Sequence, residues 1–289
     1  MSPQELPARQ YTTTRLRSSA RLLRAGLLTV LLFPPGATAV ELKQETVRAF
    51  DRYVRLTEAR IAGEVASDKT FLWIDTLPAE RKKPAYQQVR QGQMIIERMK
   101  TLDGGQEIDV PGGIIHHWLG MVFIPGVSLQ QTLALVQDYD HHDRYYKPDV
   151  IASKLRARNG NDFKVFLRFY KKKLITVVMD TEHDVHYFPL DERRVHTRSY
   201  ATRIAEVADF GEPGEHEKPV DDGGGFLWRL NSYWRFEERD GGVYVQCEAI
   251  SLTRDIPVLV SWLVKPFVTS VPRELLQNTL ANTRAALVH

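Results

Sequence analysis

Residues 226–251 read FLWRLNSYWRFEERDGGVYVQCEAIS, and this stretch decides the fold. Residues 226–238 and 243–251 have the alternation of two long strands, and Arg239-Asp240-Gly241-Gly242 between them is a tight turn. On the first strand Phe226, Trp228, Leu230, Trp234 and Phe236 point one way, with Ser232 among them. Leu227, Arg229, Asn231, Tyr233 and Arg235 point the other way, because successive side chains alternate across a sheet. On the second strand Val243, Val245, Cys247 and Ala249 make a small apolar face, and Tyr244, Gln246, Glu248 and Ile250 make the other. Two helical pieces follow. Residues 258–268 end near Pro266, and a last helix has Pro272 in its first turn, where proline is tolerated. That helix carries Leu275, Leu276, Thr279, Leu280, Thr283 and Leu287 on one broad stripe. An antiparallel sheet closed by a long terminal helix traps a hydrophobic space between them.

Working back towards the N-terminus, residues 151–158 and 163–170 form a hairpin turning at Asn159-Gly160, and 174–188 and 195–207 are further strands. Ser128 caps a helix over 129–139, where Leu129, Thr132, Leu133, Val136 and Tyr139 share a face. Residues 94–99 and 114–124 read as strands set off by Gly- and Pro-bearing turns. Residues 41–62 form an amphipathic helix with Val47, Phe50, Val54, Thr57 and Ile61 on one side. Residues 79–91 are helical too, weakened by Pro84. The segment 208–224 is acidic and rich in Gly and Pro, and reads as a solvated mobile loop, with a lid as the alternative.

Arg9, Arg15, Arg17, Arg21 and Arg24 precede the short apolar run 25–33, Pro34-Pro35-Gly36 and the small-residue site Ala37-Thr38-Ala39. This is the pattern of a secretory signal peptide cleaved after Ala39, so the expected location is the periplasm or the exterior. The chain has 39 Lys and Arg against 36 Asp and Glu. Residues 1–39 hold five of the Arg and one Glu, so the mature chain keeps 34 basic and 35 acidic residues. Its positive balance belongs to the leader, and no broad positive field is left to attract nucleic acid. Nothing after Phe33 is apolar for long enough to cross a bilayer as a helix. The lone Cys247 has no partner for an internal disulfide, so stability rests on the core.

From residue 114 to 287 the chain resembles the START-like, helix-grip proteins, which include lipid-transfer domains, pollen allergens and polyketide cyclases. The order of elements matches. So do three local phrases: Asp138-Tyr139-Asp140 followed by Tyr146-Lys147-Pro148, then Phe226-Leu227-Trp228-Arg229-Leu230, then 251–257 (SLTRDIP). The resemblance implies an α+β domain over 114–289, a curved antiparallel sheet wrapped around the C-terminal helix. Residues 40–113 are then an N-terminal helical extension packed on the sheet. It further implies a hydrophobic or amphipathic ligand such as a lipid, held in the sheet–helix cavity or transferred by way of it, with transient membrane contact.

The residues expected to line that cavity are Trp118, Phe163, Val165, Leu167, Trp228, Leu230, Trp234, Leu276 and Leu280, with His117, Asn231 and Arg254 orienting the ligand. A cofactor-free cyclase or hydrolase acting in the same cavity is the enzymatic alternative, with His117 or Glu248 as acid or base. A protein-interaction module with a filled core is the third reading. Glu248 is expected to pair with Arg229 or Arg254, since a buried carboxylate needs a partner. Asp180 is a second acid–base candidate, and Lys171-Lys172-Lys173 reads as a solvated turn. No spacing of His, Cys, Asp and Glu closes a metal site, for His116 and His117 are neighbours on a strand and face opposite ways. No phosphate loop or nucleophile elbow is present, and nothing in the pattern calls for a cofactor.

Overall fold

The computed structural model describes residues 42–173, 175–255 and 258–288, for 258–269 the backbone alone. The expected leader, residues 1–39, lies outside them. Two strands of 11 and 13 residues, β10 (Arg229–Arg239) and β11 (Gly242–Arg254), form the hairpin on which the sheet is built. They join at Asp240-Gly241, and both residues have positive φ, +58° and +77°. That is the backbone of a two-residue turn whose twist matches the strands. β4 (Gly113–Pro125) pairs along the whole of β11, from Gly113 opposite Arg254 to Pro125 opposite Gly242. β1 (Ile95–Arg98) adds an edge beyond β4.

On the other side of β10 lie β8 (Arg194–Ala208), β7 (Thr176–Pro189), β6 (Asp162–Lys172) and β5 (Val150–Asn159). The order is β1-β4-β11-β10-β8-β7-β6-β5, antiparallel throughout. A register shift opposite Glu182 and His183, and two more between β5 and β6, bend the sheet. A small separate hairpin is made by β2 (Leu102–Asp103) and β3 (Gln106–Glu107).

Both faces of the sheet are covered. One carries α1 (Gln44–Val65), whose Phe50, Tyr53, Val54 and Ile61 pack on Tyr233, Ile250 and Leu252. Beside it α2 (Ala79–Arg90) and the turn Trp73–Thr76 bring Phe71, Leu72, Ile74 and Val89 against Met121, Phe123 and Tyr244. Residues 42–113 thus cover one face and add a strand to the sheet. The other face carries α3 (Leu129–Val136), α4 (His142–Tyr145) and α5 (Val258–Leu287). There Leu129, Val136, Leu276 and Leu280 meet Val122, Ile124, Phe163, Val165, Phe236, Val243 and Val245.

Several expectations need correction. α3 stops at Val136, three residues early, because Tyr139 leaves the helical phase and its hydroxyl reaches that of Tyr187 at 2.8 Å. The β5–β6 turn is Gly160-Asn161, between the paired Asn159 and Asp162, one residue later than read. The two C-terminal helical pieces are one helix of 30 residues. A proline removes one backbone bond and bends a helix without having to end it. The segment 208–224 is tied down: β9 (His216–Glu217) pairs with the end of β8, Lys218 pairs with Glu206, and Arg229 with Asp221 at 2.8 Å.

α5 sits on β4 at Gly120. A Cβ there would run into Leu280 Cδ1 and lie 2.9 Å from Ile96 Cδ1. Gly120→Val is therefore expected to lower stability by about 3 kcal/mol, the scale of overpacking in a filled core. Urea unfolding followed by tryptophan emission measures it, and an unchanged midpoint would mean that α5 is not seated on β4.

Candidate functional site

The α5 face of the sheet changes character along the strands. Its middle row runs Gly120, Cys247, Trp234, Thr197, Tyr187 across β4, β11, β10, β8 and β7. Towards the β10–β11 turn come the rows Val122–Val245–Phe236–Val195 and Ile124–Val243. These side chains are almost fully buried, and with Leu280 they make a dry, filled core.

Towards the other end the next row is Trp118–Ala249–Ser232–Ser199, and the one after it is His116–Ser251–Leu230. Here the side chains are small or polar, with large ones only part-covered. Trp118, Trp234, Leu230, Ser232, Ala249, Ala201 and Leu167 are half-buried. Three serines and two alanines on three strands, β8, β10 and β11, stand where Val and Phe fill the height between sheet and helix at the other end. Polar groups are present and oriented: His116 Nε2 lies 3.0 Å from Thr253 Oγ1, and His183 Nε2 lies 2.9 Å from Thr181 Oγ1. Two surface grooves, of about 370 and 480 Å³, lie elsewhere, at the β7–β8 turn and between α2, β1 and α5.

The C-terminal half of α5 is held over this face by polar contacts. Asn278 donates to Asp149 at 2.7 Å, Asn282 to the Lys147 carbonyl at 3.0 Å, and Tyr146 Oη lies 3.2 Å from Thr283 Oγ1. Lys171 and Lys173 both reach Glu274, so this lysine run is an anchor rather than a free turn.

Of the residues expected in the cavity, Trp118, Phe163, Val165, Leu167, Trp234, Leu276 and Leu280 are on the α5 face. Leu230 shares their parity. Trp228 does not: it precedes the first residue of β10 and packs in the α1 core with Ile250 and Leu252. Asn231 and Arg254 have the α1-face parity of Tyr233 and Leu252. His117 also faces α1, and it is His116, its neighbour, that faces α5.

Glu248 is 1 % exposed and turned to α1 as well, so neither catalytic candidate reaches the α5 interior. His117 Nε2 lies 2.6 Å from Glu248 Oε1, and Arg60 of α1 pairs with the same oxygen. Thr101 N–H donates to the Tyr53 hydroxyl, which bonds His117 Nδ1 at 2.9 Å. Burial pushes the Glu248 pKa up, but the His117 hydrogen bond and Arg60 outweigh it and leave the carboxyl below its usual range. Arg229 and Arg254 are not its partners. The second acid candidate, Asp180, is clamped by Arg168 through two hydrogen bonds of 2.6 and 2.7 Å. Cys247 is a buried thiol whose pKa is driven up by burial.

No protein-family model matches this chain, and no curated protein matches it. Among solved structures it is similar to a STAR-related lipid transfer protein fragment from Xanthomonas axonopodis, at 19% identity over 63% of this chain and 96% of that one, TM-score 0.41. It is similar to human STARD10 at 8% identity over 72% of this chain and 80% of that one, TM-score 0.39. It is also similar to the Zhui aromatase/cyclase from Streptomyces sp. R1128, at 12% identity over 60% of this chain and 92% of that one, TM-score 0.36. At such TM-scores the likeness adds nothing to the strand order and register. These by themselves describe a START-like, helix-grip arrangement: an antiparallel sheet bent around a C-terminal helix.

Three buried histidines on this side, His116, His142 and His183, have pKa values lowered to about 4, mainly by burial. The unfolded chain takes up these protons near pH 6.5, and the folded chain does not until about pH 4. Stability therefore falls as pH drops through this window, by up to about 2 kcal/mol per histidine between pH 7 and pH 5. Glu248, with its lowered pKa, acts in the same direction at still lower pH. Urea midpoints at pH 7, 6 and 5 test this; a flat profile would mean that the three imidazoles are not buried in the folded protein.

Proposed function

We propose that this chain is an exported carrier that binds a hydrophobic or amphipathic small molecule between the sheet and α5. The change along the α5 face carries the reading. The side chains of the rows at the β10–β11 turn are almost fully buried, whereas the rows Trp118–Ala249–Ser232–Ser199 and His116–Ser251–Leu230 combine small side chains with the half-buried Trp118, and Trp234 in the row beside them is half-buried too. A fold that needed only a core would fill both ends alike. Apolar contact with Trp118, Trp234, Leu230 and Leu167 supplies affinity, and the serines and His116 supply orientation. The solved structures of similar fold include a lipid transfer protein and an aromatase/cyclase, which accords with this reading. The catalytic alternative loses its named acid and base, since His117 and Glu248 face α1.

Ser232→Trp puts an indole into the sparse row and should abolish uptake of a neutral apolar dye such as Nile red, with a small change in melting temperature. Leu280→Trp instead overfills the dry end against Gly120 and should cost about 3 kcal/mol. Uptake that survives Ser232→Trp undiminished would place the ligand elsewhere. Export is tested separately: protein recovered from a secreting host should have the intact mass of a chain beginning at Val40, and a retained residue 1 would overturn the leader reading.

A further inference from the structure

The polar groups of the sparse half share a property that narrows the ligand. Across β4, β11, β10, β8 and β7 they are His116, Thr253, Ser251, Ser232, Ser199, Thr181 and His183. All are hydroxyls or imidazoles. The two histidines are held uncharged at neutral pH by burial, and Arg98 opposes protonation of His116 further. Among the described residues the carboxylates and guanidinium groups of the same strands fall on the α1 side or at the rim. Glu248 and Arg235 face α1, where they pair with Arg60 and Glu64. Asp180 is held by Arg168. Glu206, at the far end of β8, is occupied by Lys218 and the Gly224 N–H. Arg98 has the α5-face parity of its partner Trp118, but it stands exposed on the edge strand, where water screens its charge.

We infer that the ligand is an uncharged apolar molecule bearing hydroxyl or carbonyl oxygens, not an anionic lipid, and that Ser232 and Ser251 hold those oxygens. This rests on the carrier reading above and sharpens it. Among the described residues an ionised head drawn into this face would lose its hydration and find no free counter-charge, since Lys171 at the end of β6 is already paired with Asp149 and Glu274, a cost far larger than a few hydroxyl contacts return. A neutral oxygen loses less and regains it: Ser and Thr hydroxyls both donate and accept, so they suit alcohols and ketones alike. The serines lie on adjacent strands, Ser232 opposite Ala249 and Ser251 opposite Leu230, so both belong to the same sparse patch. Neither side chain has a hydrogen-bond partner within the protein among the described contacts, unlike the His116–Thr253 and His183–Thr181 pairs beside them.

The test uses two fluorescent probes with the same tail, cis-parinaryl alcohol and cis-parinaric acid, titrated into the mature chain at pH 8, where the acid is ionised. Since the tail is shared, apolar burial cancels and the head alone decides the difference. The alcohol is expected to bind at least about tenfold more tightly than the acid, the least that an unpaired charge entering this face should cost. An acid that binds as tightly as the alcohol, or more tightly, overturns the inference while leaving the carrier reading in place. If neither probe binds and Nile red is not taken up, the carrier reading fails and this inference fails with it. The double variant Ser232→Ala, Ser251→Ala should weaken the alcohol by about five- to twentyfold, one to two hydrogen bonds, with the melting temperature nearly unchanged. Unchanged alcohol binding in that variant would overturn the assignment of these two serines.

Discussion

The Glu248 carboxylate, buried in the middle of a central strand, is the constraint around which the rest is arranged. An ionised group in that position is tolerated only if its partners are fixed. His117 comes from the neighbouring strand and Arg60 from α1, so the helix cannot slide without uncovering a charge. One turn further along α1, Glu64 receives Arg235, itself 1 % exposed, which also donates to the Phe71 carbonyl at 2.8 Å. The two contacts fix both the rotation and the position of α1. They also commit one whole face of the sheet to structure, which leaves the face under α5 as the place for the ligand proposed above.

Two covered faces explain the composition of the central strands. β11 is buried at almost every position from Gly242 to Thr253, because odd residues meet α5 and even residues meet α1. Such a strand does not alternate apolar with polar as a half-exposed strand does. It alternates instead between two different interiors. The even side takes a carboxylate, an amide and a phenol, Glu248, Gln246 and Tyr244; the odd side takes small groups, the thiol of Cys247, the methyl of Ala249 and the hydroxyl of Ser251.

This is why the fold was legible in the sequence and the site only partly so. Strand alternation, the Asp240-Gly241 turn and the Ser128 cap are local signals, and each holds: Gln131 N–H donates to Ser128 Oγ at 3.2 Å. Which of two interiors a given parity faces is not local. The sequence points to His117 for the pocket, where the structure puts His116; the pair differs only in which helix lies above it, and that depends on α1, more than fifty residues upstream. Trp228 misled for a different reason. It follows Gly225, whose φ is +72°, and it stands one residue outside the β10 ladder, where period two no longer applies. Ser199, Ser251 and Thr253 have no sequence signal of their own. Only the pairing of Ser232 with Ser199, and of Ser251 with His116, brings polar positions of different strands into neighbouring rows.

The division of labour along α5 follows from the same geometry. A helix can be seated on a sheet by a small part of its length if that part is well filled, and here Leu276, Leu280 and Thr283 are that part, with Gly120 making room for close approach. The salt bridges from Lys171 and Lys173 to Glu274 then hold the helix from the opposite wall of the bent sheet. Among the described residues the seating rests on these side chains, and the rows of Trp118 and His116 carry Ala249, Ser232, Ser199 and Ser251 instead. Small side chains in a core forgo dispersion and burial that larger ones would supply. Set beside a filled half on the same strands, this contrast between the two ends of the face is what the proposed ligand volume rests on.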